Sequence, residues 1–451
     1  MTSIALLGTC DTKLHELLQL REQLLKSGAS SVLLVDVGRT QVRHSAISID
    51  HKSVRRYGGK EASETDLSAL PRGEIIKHMI SCAGPCLKGL YTKGSISGVV
   101  SAGGSGGSSL ACAVMRAALP IGFPKLMIST VASGDTGPLV GETDITMMYS
   151  VVDIAGSNAL LRSIFQNAAG AIVGMANAWN TRVQEEQQEA VGGRGKTRVG
   201  ITMFGVTTPG VDAARKFLEE QAGCEVYVFH ATGHGGQAME RLVRAGELDA
   251  VLDLTTTEVC DYLMGGNMSA GPHRLEAAAA AGIPCVISLG ATDMVNFGPR
   301  AMVPEKYGKR LLYEHNPTVT LMRTTKEECT KIGEFIVEKL KWNARQPELV
   351  QVVIPRGGVS MIATPGGPFA DPEADAALFR SIEHGFRGTP LKVVGDKRDI
   401  NNEGFAIDIA RRLVDLFPAN TVSTPTEEAF YYDEATGSFV LANNPSLSPS
   451  R

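Results

Sequence analysis

Twice along its length this chain alternates short β-branched and apolar runs with longer stretches of helical period, and that doubled rhythm restricts the folds open to it. The first series passes through strand-like segments at Ile4–Gly8, Val32–Asp36, Val99–Ala102 and Leu126–Ser129, with helical patterns beginning near Thr12, Glu74 and Ser108. The second passes through Val199–Phe204, Val226–His230, Val251–Leu254, Cys285–Leu289, Val350–Ile354 and Leu391–Val394. Its helical patterns start at Pro209 and Gln237, lie near His273, and cover Lys326–Trp342, Pro372–His384 and Glu403–Leu416. Continuous apolar strands separated by helices are the pattern of a parallel sheet buried on both faces. The expected fold class is α/β: two doubly wound, mostly parallel open-sheet domains of Rossmann-like type joined by a polar linker.

At 451 residues the chain exceeds one ordinary core and suits two domains of roughly 100–200 residues each. An Ala/Leu/Ile-rich helix from Asn158 to Trp179 closes the first half, after which the polar run Arg182–Glu189 and the glycines Gly192, Gly193 and Gly195 change the composition. The expected division is an N-terminal α/β domain over 1–182, a linker over 183–197, a C-terminal α/β domain over 198–420 and a disordered tail over 421–451. The polar segment Arg39–Arg72 lacks a clear period and reads either as a functional flap or as an excursion with minor structure of its own.

Composition excludes several classes. A content of 49 Gly with only 6% aromatic residues fits a protein with many strand-to-helix turns. The formal net charge of −4 and the lack of a basic block argue against a nucleic-acid surface. No stretch approaches the roughly 18 apolar residues of a membrane helix, and the first residues carry no basic region of signal-peptide form. A cytoplasmic location is expected. The eight Cys are scattered within apolar runs, as reduced buried thiols are. Cys82 and Cys86, one helical turn apart, read as helix packing rather than as a metal pair.

The chemistry gathers in loops that follow strands. Val99–Ala102 breaks into Gly103-Gly104-Ser105-Gly106-Gly107-Ser108-Ser109 and resumes as a helix. Such a turn leaves backbone N–H groups unpaired at a helix N-terminus, where the dipole also favours negative charge, so it is a place to hold phosphate. The loop lacks the Gly-Lys-[Ser/Thr] ending of a Walker A motif and the spacing of the dinucleotide fingerprint, and close helix–strand packing would explain its glycines equally. Gly8, Thr9, Asp11, Thr12 and Lys13 follow the first strand: Asp11 or Thr12 can cap the next helix, and Lys13 can reach an anion. Asp36, ending the second strand, stands where many nucleotide-binding sheets place a carboxylate against ribose, although Asp is also a common turn residue. Ser129, Thr130, Ser133, Gly134 and Asp135 form a hydroxyl-rich loop suited to phosphate oxygens, with a magnesium ion accompanying the nucleotide near Asp135.

The second half repeats the arrangement with other side chains. The run His230–Gln237 reads as a second anion cradle with imidazoles, and His230, His234, Glu258, Asp261, His273 and Asp293 would make a metal site if they converged. Thr255-x-x-Glu258 also matches a capping box, which explains that pair with no ligand. Tyr313–Thr325 reads as a specificity loop ending in Arg323, either a carboxylate or phosphate clamp or a solvated side chain beside an N-cap Thr. Pro355–Met361 and Pro365–Phe369 contribute to a cleft or shape it.

Taken in order, Gly8-Thr9-x-Asp11-Thr12-Lys13, Gly103–Gly107, Ile128–Gly134, Phe229–Gly233, Ser269–Pro272 and Asp293–Phe297 resemble the little-characterised ATP-binding family that includes the tomato mosaic virus resistance protein. The resemblance extends to about Ala419. It implies two α/β domains, ATP with magnesium in the first, and assembly as a homodimer. The leading expectation is thus a nucleotide-binding protein. Two alternatives remain open: a metabolic enzyme acting on a small anionic substrate, with His230, Glu258, Asp293 and Arg323 as catalytic candidates, and a nucleotide-dependent module that binds a protein partner.

Overall fold

In a computed structural model, the described residues are 1–189 and 195–418, with a strand pair, Phe430–Asp433 and Ser438–Leu441, beyond them. The first domain is built on six parallel strands: β1 (Ser3–Gly8), β2 (Ser31–Asp36), β3 (Ile47–Ile49), β4 (Gly98–Gly103), β5 (Lys125–Ser129) and β6 (Thr146–Tyr149). Their order is β3-β2-β1-β4-β5-β6. Alternate residues of the central strands serve opposite cores, as the period of two requires. Ala5, Leu7 and Val99 pack under the helices Arg72–Thr92 and Ser105–Ala118, whereas Ile4, Leu6 and Val100 pack under Cys10–Lys26 and Ala159–Glu189.

The second domain contains β7 (Arg198–Met203), β8 (Glu225–His230), β9 (Ala250–Thr255) and β10 (Cys285–Gly290). A small antiparallel sheet follows, made of β11 (Met294–Phe297), β12 (Leu312–Asn316) and β13 (Val319–Arg323). The chain then returns through β14 (Val350–Pro355) and β15 (Lys392–Asp396) to complete a parallel sheet of order β15-β14-β10-β9-β7-β8. The α/β class and the two sheets agree with the sequence reading. In each sheet the chain first moves to one side and then crosses back, so the strand order reverses between β1 and β4 and again between β7 and β9.

Several local expectations give way. The polar run read as linker continues the helix Ala159–Glu189, since Glu and Gln are good helix formers; residues 190–194 lie outside the described ones. Arg39–Arg72 holds β3, two short helices and a 3-10 turn. The helix placed near His273 is only Ala277–Ala281, and Tyr313–Thr325 is a hairpin rather than a loop. Apart from the strand pair, the tail expected to be disordered lies outside the described residues. Among the described residues, no helix is long and apolar enough to cross a membrane.

Polar contacts join the domains. Arg241, on the helix His234–Arg244, pairs with Glu142 (2.9 Å) and donates to the carbonyls of Arg116 (2.6 Å) and Leu119 (2.9 Å) at the C-terminal end of Ser105–Ala118.

Candidate functional site

A cleft of about 470 Å³ opens beyond the carboxyl ends of β1 and β4, at the strand-order reversal of the first sheet. Its size and place are those of small-molecule sites in open α/β folds. The helix Ser105–Ala118 starts on its floor. Gly104 stands at the N-cap without a side-chain hydrogen bond, and the N–H groups of Ser105, Gly106 and Gly107 precede the first intrahelical donor, Ser108 N, which bonds Gly104 O at 2.8 Å. A Cβ on Gly103 would lie 3.2 Å from the Cα of Gly107, so the turn closes backbone against backbone. Over this first turn hangs Arg72, whose Nη2 lies 2.8 Å from where a Cβ on Gly106 would stand. Ile75, Ile76 and Met79 from the Arg72 helix, with Val37 and Leu110, make an apolar wall.

Of the residues expected to bind nucleotide, the cleft gathers Thr9, Asp11, Thr12, Lys13, Gly103, Gly104, Ser105, Gly106 and Gly107. Asp11 is partly committed already, because its Oδ2 accepts from the N–H groups of Arg39 (2.8 Å) and Thr40 (3.1 Å). Lys13 donates to the carbonyl of Ile154.

The others stand elsewhere. Gly8 is a packing glycine: a Cβ there would fall 2.2 Å from Leu17 Cδ1. Asp36 is wholly buried behind the loops, its Oδ1 accepting from Cys10 N (3.2 Å) and Gly38 N (3.0 Å), and burial raises its pKa. It shapes the turn and does not reach the cleft, so its expected ribose role is replaced by a structural one. Ser108 and Ser129 are buried with hydroxyls 2.6 Å apart, pinning one loop to the other. Thr130 Oγ1 lies 3.7 Å from a Cβ position on Gly104, at the edge of the turn. Ser133, Gly134 and Asp135 are exposed and off the cleft. Asp135 Oδ1 accepts from Gly137 N (3.0 Å), and a Cβ on Gly137 would lie 3.9 Å from His234 Nε2 across the domain boundary.

Sequence reasoning missed Arg39, Arg72 and the apolar wall. The two arginines are the end residues of the segment read as a possible flap, and nothing local marks them as cleft residues.

The corresponding place in the second sheet, between β7 and β9, is filled. Phe204, Val206, Ala291, Met294, Leu321 and Phe369 form a buried apolar plug over it, and Thr207, Thr255, Thr256 and Thr257 are buried beneath. The expected anion cradle already holds the chain's own anion: Glu258 Oε1 accepts from Gly233 N (2.7 Å) and Gly236 N (3.0 Å). Its Oε2 accepts from Arg274 Nε (2.7 Å), and Arg274, fully buried, also meets Asp253 and Glu240. Glu258 is therefore neither a free acid nor the partner in a capping box with Thr255.

Arg323 is neither solvated nor a free clamp. Its guanidinium donates to the carbonyls of Phe369, Thr324 and Asp371 and to the carboxylate of Asp375. Asp293 accepts from Ser360 (2.8 Å) while its Oδ1 has no partner, and burial pushes its carboxyl up to about 6. Asp261 is buried and accepts from the backbone of Met268 and Asn296.

The histidines do not converge. His230 stacks on Phe204 with ring centroids 5.6 Å apart, His234 faces the first domain, and exposed His273 pairs with Glu276 (3.0 Å). Among the described residues no group of three His, Cys, Asp or Glu is placed to hold a metal ion.

Comparison with known proteins covers both halves. Residues 2–181 match the model described as "Uncharacterised protein family (UPF0261) N-terminal domain", and residues 196–417 match that of its C-terminal domain. A UPF0261 protein of Clostridium tetani is 45% identical over 413 residues, covering 92% of this chain and 98% of the relative. One from Rhizobium meliloti is 46% identical over 384 residues, covering 85% and 91%. The tomato (Solanum lycopersicum) ToMV resistance protein Tm-1(GCR237) is 37% identical over 460 residues; these span 98% of this chain but 60% of that protein. A solved UDP-GlcNAc 2-epimerase from Neisseria meningitidis, bound to UDP-GlcNAc, aligns over 85% of this chain and 100% of its own at 9% identity and TM-score 0.18. At that score the likeness bears on neither fold nor function.

Proposed function

The chain belongs to the UPF0261 family, and from that premise we propose that it is a nucleotide-binding protein whose first domain holds the phosphates of ATP between β1 and β4. The observation that carries this reading is the first turn of Ser105–Ala118, with three unclaimed N–H groups on the cleft floor and the cations Lys13, Arg39 and Arg72 around it. A polyphosphate would find both the helix dipole and cationic partners there. The apolar face of Ile75, Ile76 and Met79 suits a nucleobase. Magnesium, where it accompanies the nucleotide, has the hydroxyls of Thr9 and Thr12 and the carboxylate of Asp11 on the same wall; it would neutralise phosphate charge. Asp135 is not part of this site. Homodimer assembly and a cytoplasmic location belong to the same proposal. Glu258, Asp293 and Arg323 are left out of it, because each is buried and held by partners within the chain.

Calorimetric titration with ATP, with and without magnesium, tests the assignment on the wild type and on a Gly104→Val, Gly106→Val variant. At position 106 the added side chain meets the far end of Arg72 rather than backbone, so the fold survives while the cradle narrows. Undiminished binding by the variant would remove the assignment.

A further inference from the structure

Lys13 stands between two parts of the first domain. It lines the cleft, and its ammonium donates to the carbonyl of Ile154 in the connection that follows the edge strand β6. Its backbone (φ −133°, ψ 17°) departs from helical geometry within the opening turns of Cys10–Lys26.

The connection it holds is strained. Val151 has φ +61°, a region that a β-branched residue rarely enters, and it is 57% exposed. The N–H of Val152 reaches back to the carbonyl of Ser150 at 2.6 Å, closing a tight three-residue turn. Val151 itself packs little, while Ser150 and Ile154 on either side are buried and Val152 lies against the core. Ser150 N donates to Ser129 O and Ser150 Oγ to Val152 O, while the far end is tied to the helix Cys10–Lys26 by Gly156 N on Glu16 Oε1 (2.6 Å) and by Lys13 on Ile154.

We propose that phosphate bound at the glycine turn draws Lys13 away from Ile154 and so loosens residues 150–157, making this loop the reporter of cleft occupancy. An ammonium donates more strongly to an anionic oxygen than to a neutral carbonyl, so the exchange runs toward phosphate. Once the carbonyl of Ile154 is released, the turn at Val151 loses one of the restraints that hold it in a strained conformation. The inference rests on the nucleotide reading above and adds its regulation: the bound state differs from the free one at the sheet edge, not only in the cleft.

Hydrogen exchange read by mass spectrometry on the full chain tests this, with the amides of Val152 and Gly156 as reporters. The wild type, Lys13→Met and Lys13→Arg are compared alone, with saturating ATP and magnesium, and with inorganic tripolyphosphate. In the wild type, ATP or tripolyphosphate should raise exchange at the reporters roughly tenfold. Lys13→Met should show the fast exchange without ligand, and ATP should add nothing; Lys13→Arg, which keeps a charged donor, should leave the free loop protected. A loop that ATP protects or leaves unchanged, or a Met variant that matches the wild type, overturns the proposal. Calorimetry on the same samples separates the two failures. If the wild type binds no ATP, the nucleotide reading and this inference fall together; if it binds ATP and the loop does not respond, this inference falls alone.

Discussion

Replacing Glu258 by glutamine distinguishes a carboxylate that builds the fold from one that performs chemistry. In the wild type, Oε1 takes two backbone N–H groups, from Gly233 at 2.7 Å and Gly236 at 3.0 Å, and Oε2 takes Arg274 Nε at 2.7 Å. Both the carboxylate and the guanidinium are shut off from solvent. A glutamine keeps an oxygen for the glycines, but its amide nitrogen then faces Arg274 Nε, donor against donor. Breaking a buried ion pair by removing one partner costs about 3–5 kcal/mol. Asp253 and Glu240 also face Arg274, so neutralising Glu258 relieves some repulsion among acids, and the net loss should be about 3 kcal/mol. For a domain of this size that corresponds to a fall of about 6–12 °C in melting temperature. Scanning calorimetry measures it, and ATP affinity in the other domain should be unchanged. A catalytic Glu258 predicts the opposite pattern, with an isosteric amide that keeps the fold and abolishes turnover. A variant melting within about 2 °C of the wild type would refute the reasoning.

Three further perturbations have opposing or site-specific signatures. Gly106→Ala should raise stability by about 0.5–1 kcal/mol, as an alanine in a helix does, while weakening ATP binding roughly tenfold because its methyl displaces Arg72; tighter binding on titration would contradict this. The Asp293 carboxyl has a folded-state pKa of about 6 against 3.8 for the free group, so its contribution to stability is full below about pH 4 and lost as pH rises through 6. In urea denaturation at pH 5 and pH 8, Asp293→Asn should therefore reduce the wild-type loss of stability between the two by about 1.4 kcal/mol, the remainder being lost already below pH 5, and an unchanged difference would remove Asp293 as its source. Arg241→Ala deletes the pair with Glu142 and two donations to carbonyls of the glycine-loop helix; it should cost about 1–3 kcal/mol and speed amide exchange in the last turn of Ser105–Ala118, whereas exchange equal to the wild type would mean the contact carries no load.

What the sequence made legible was local. β1, β4 and the glycine turn are contiguous patterns, and so is the N-cap of Lys326–Asn343, where Thr325 and Glu328 bond reciprocally in a capping box. Thr255 and Glu258 show the same spacing and form none, because Arg274 and the glycines at 233 and 236 compete for that carboxylate from a distance in the chain. Arg323 was misread for the same reason, its carboxylate partner Asp375 lying beyond any local window. Arg72 was missed because its place over Gly106 depends on how two helices pack. These errors share a physical cause: a charged side chain next to a helix start is a ligand group only if no other part of the chain has already paired with it. The two domains differ in that respect. Each places a strand, a glycine-containing loop and a helix at its sheet, but in the second the open N–H groups are claimed by Glu258 and the switch point is plugged by Phe204, Met294 and Phe369. In the first, no side chain of the same helix caps the turn at Gly104, and the guanidinium of Arg72 hangs over Gly106. A helix start that meets a cation and keeps its own N–H groups unclaimed favours a negatively charged ligand from outside, which directs the search for one to the first domain.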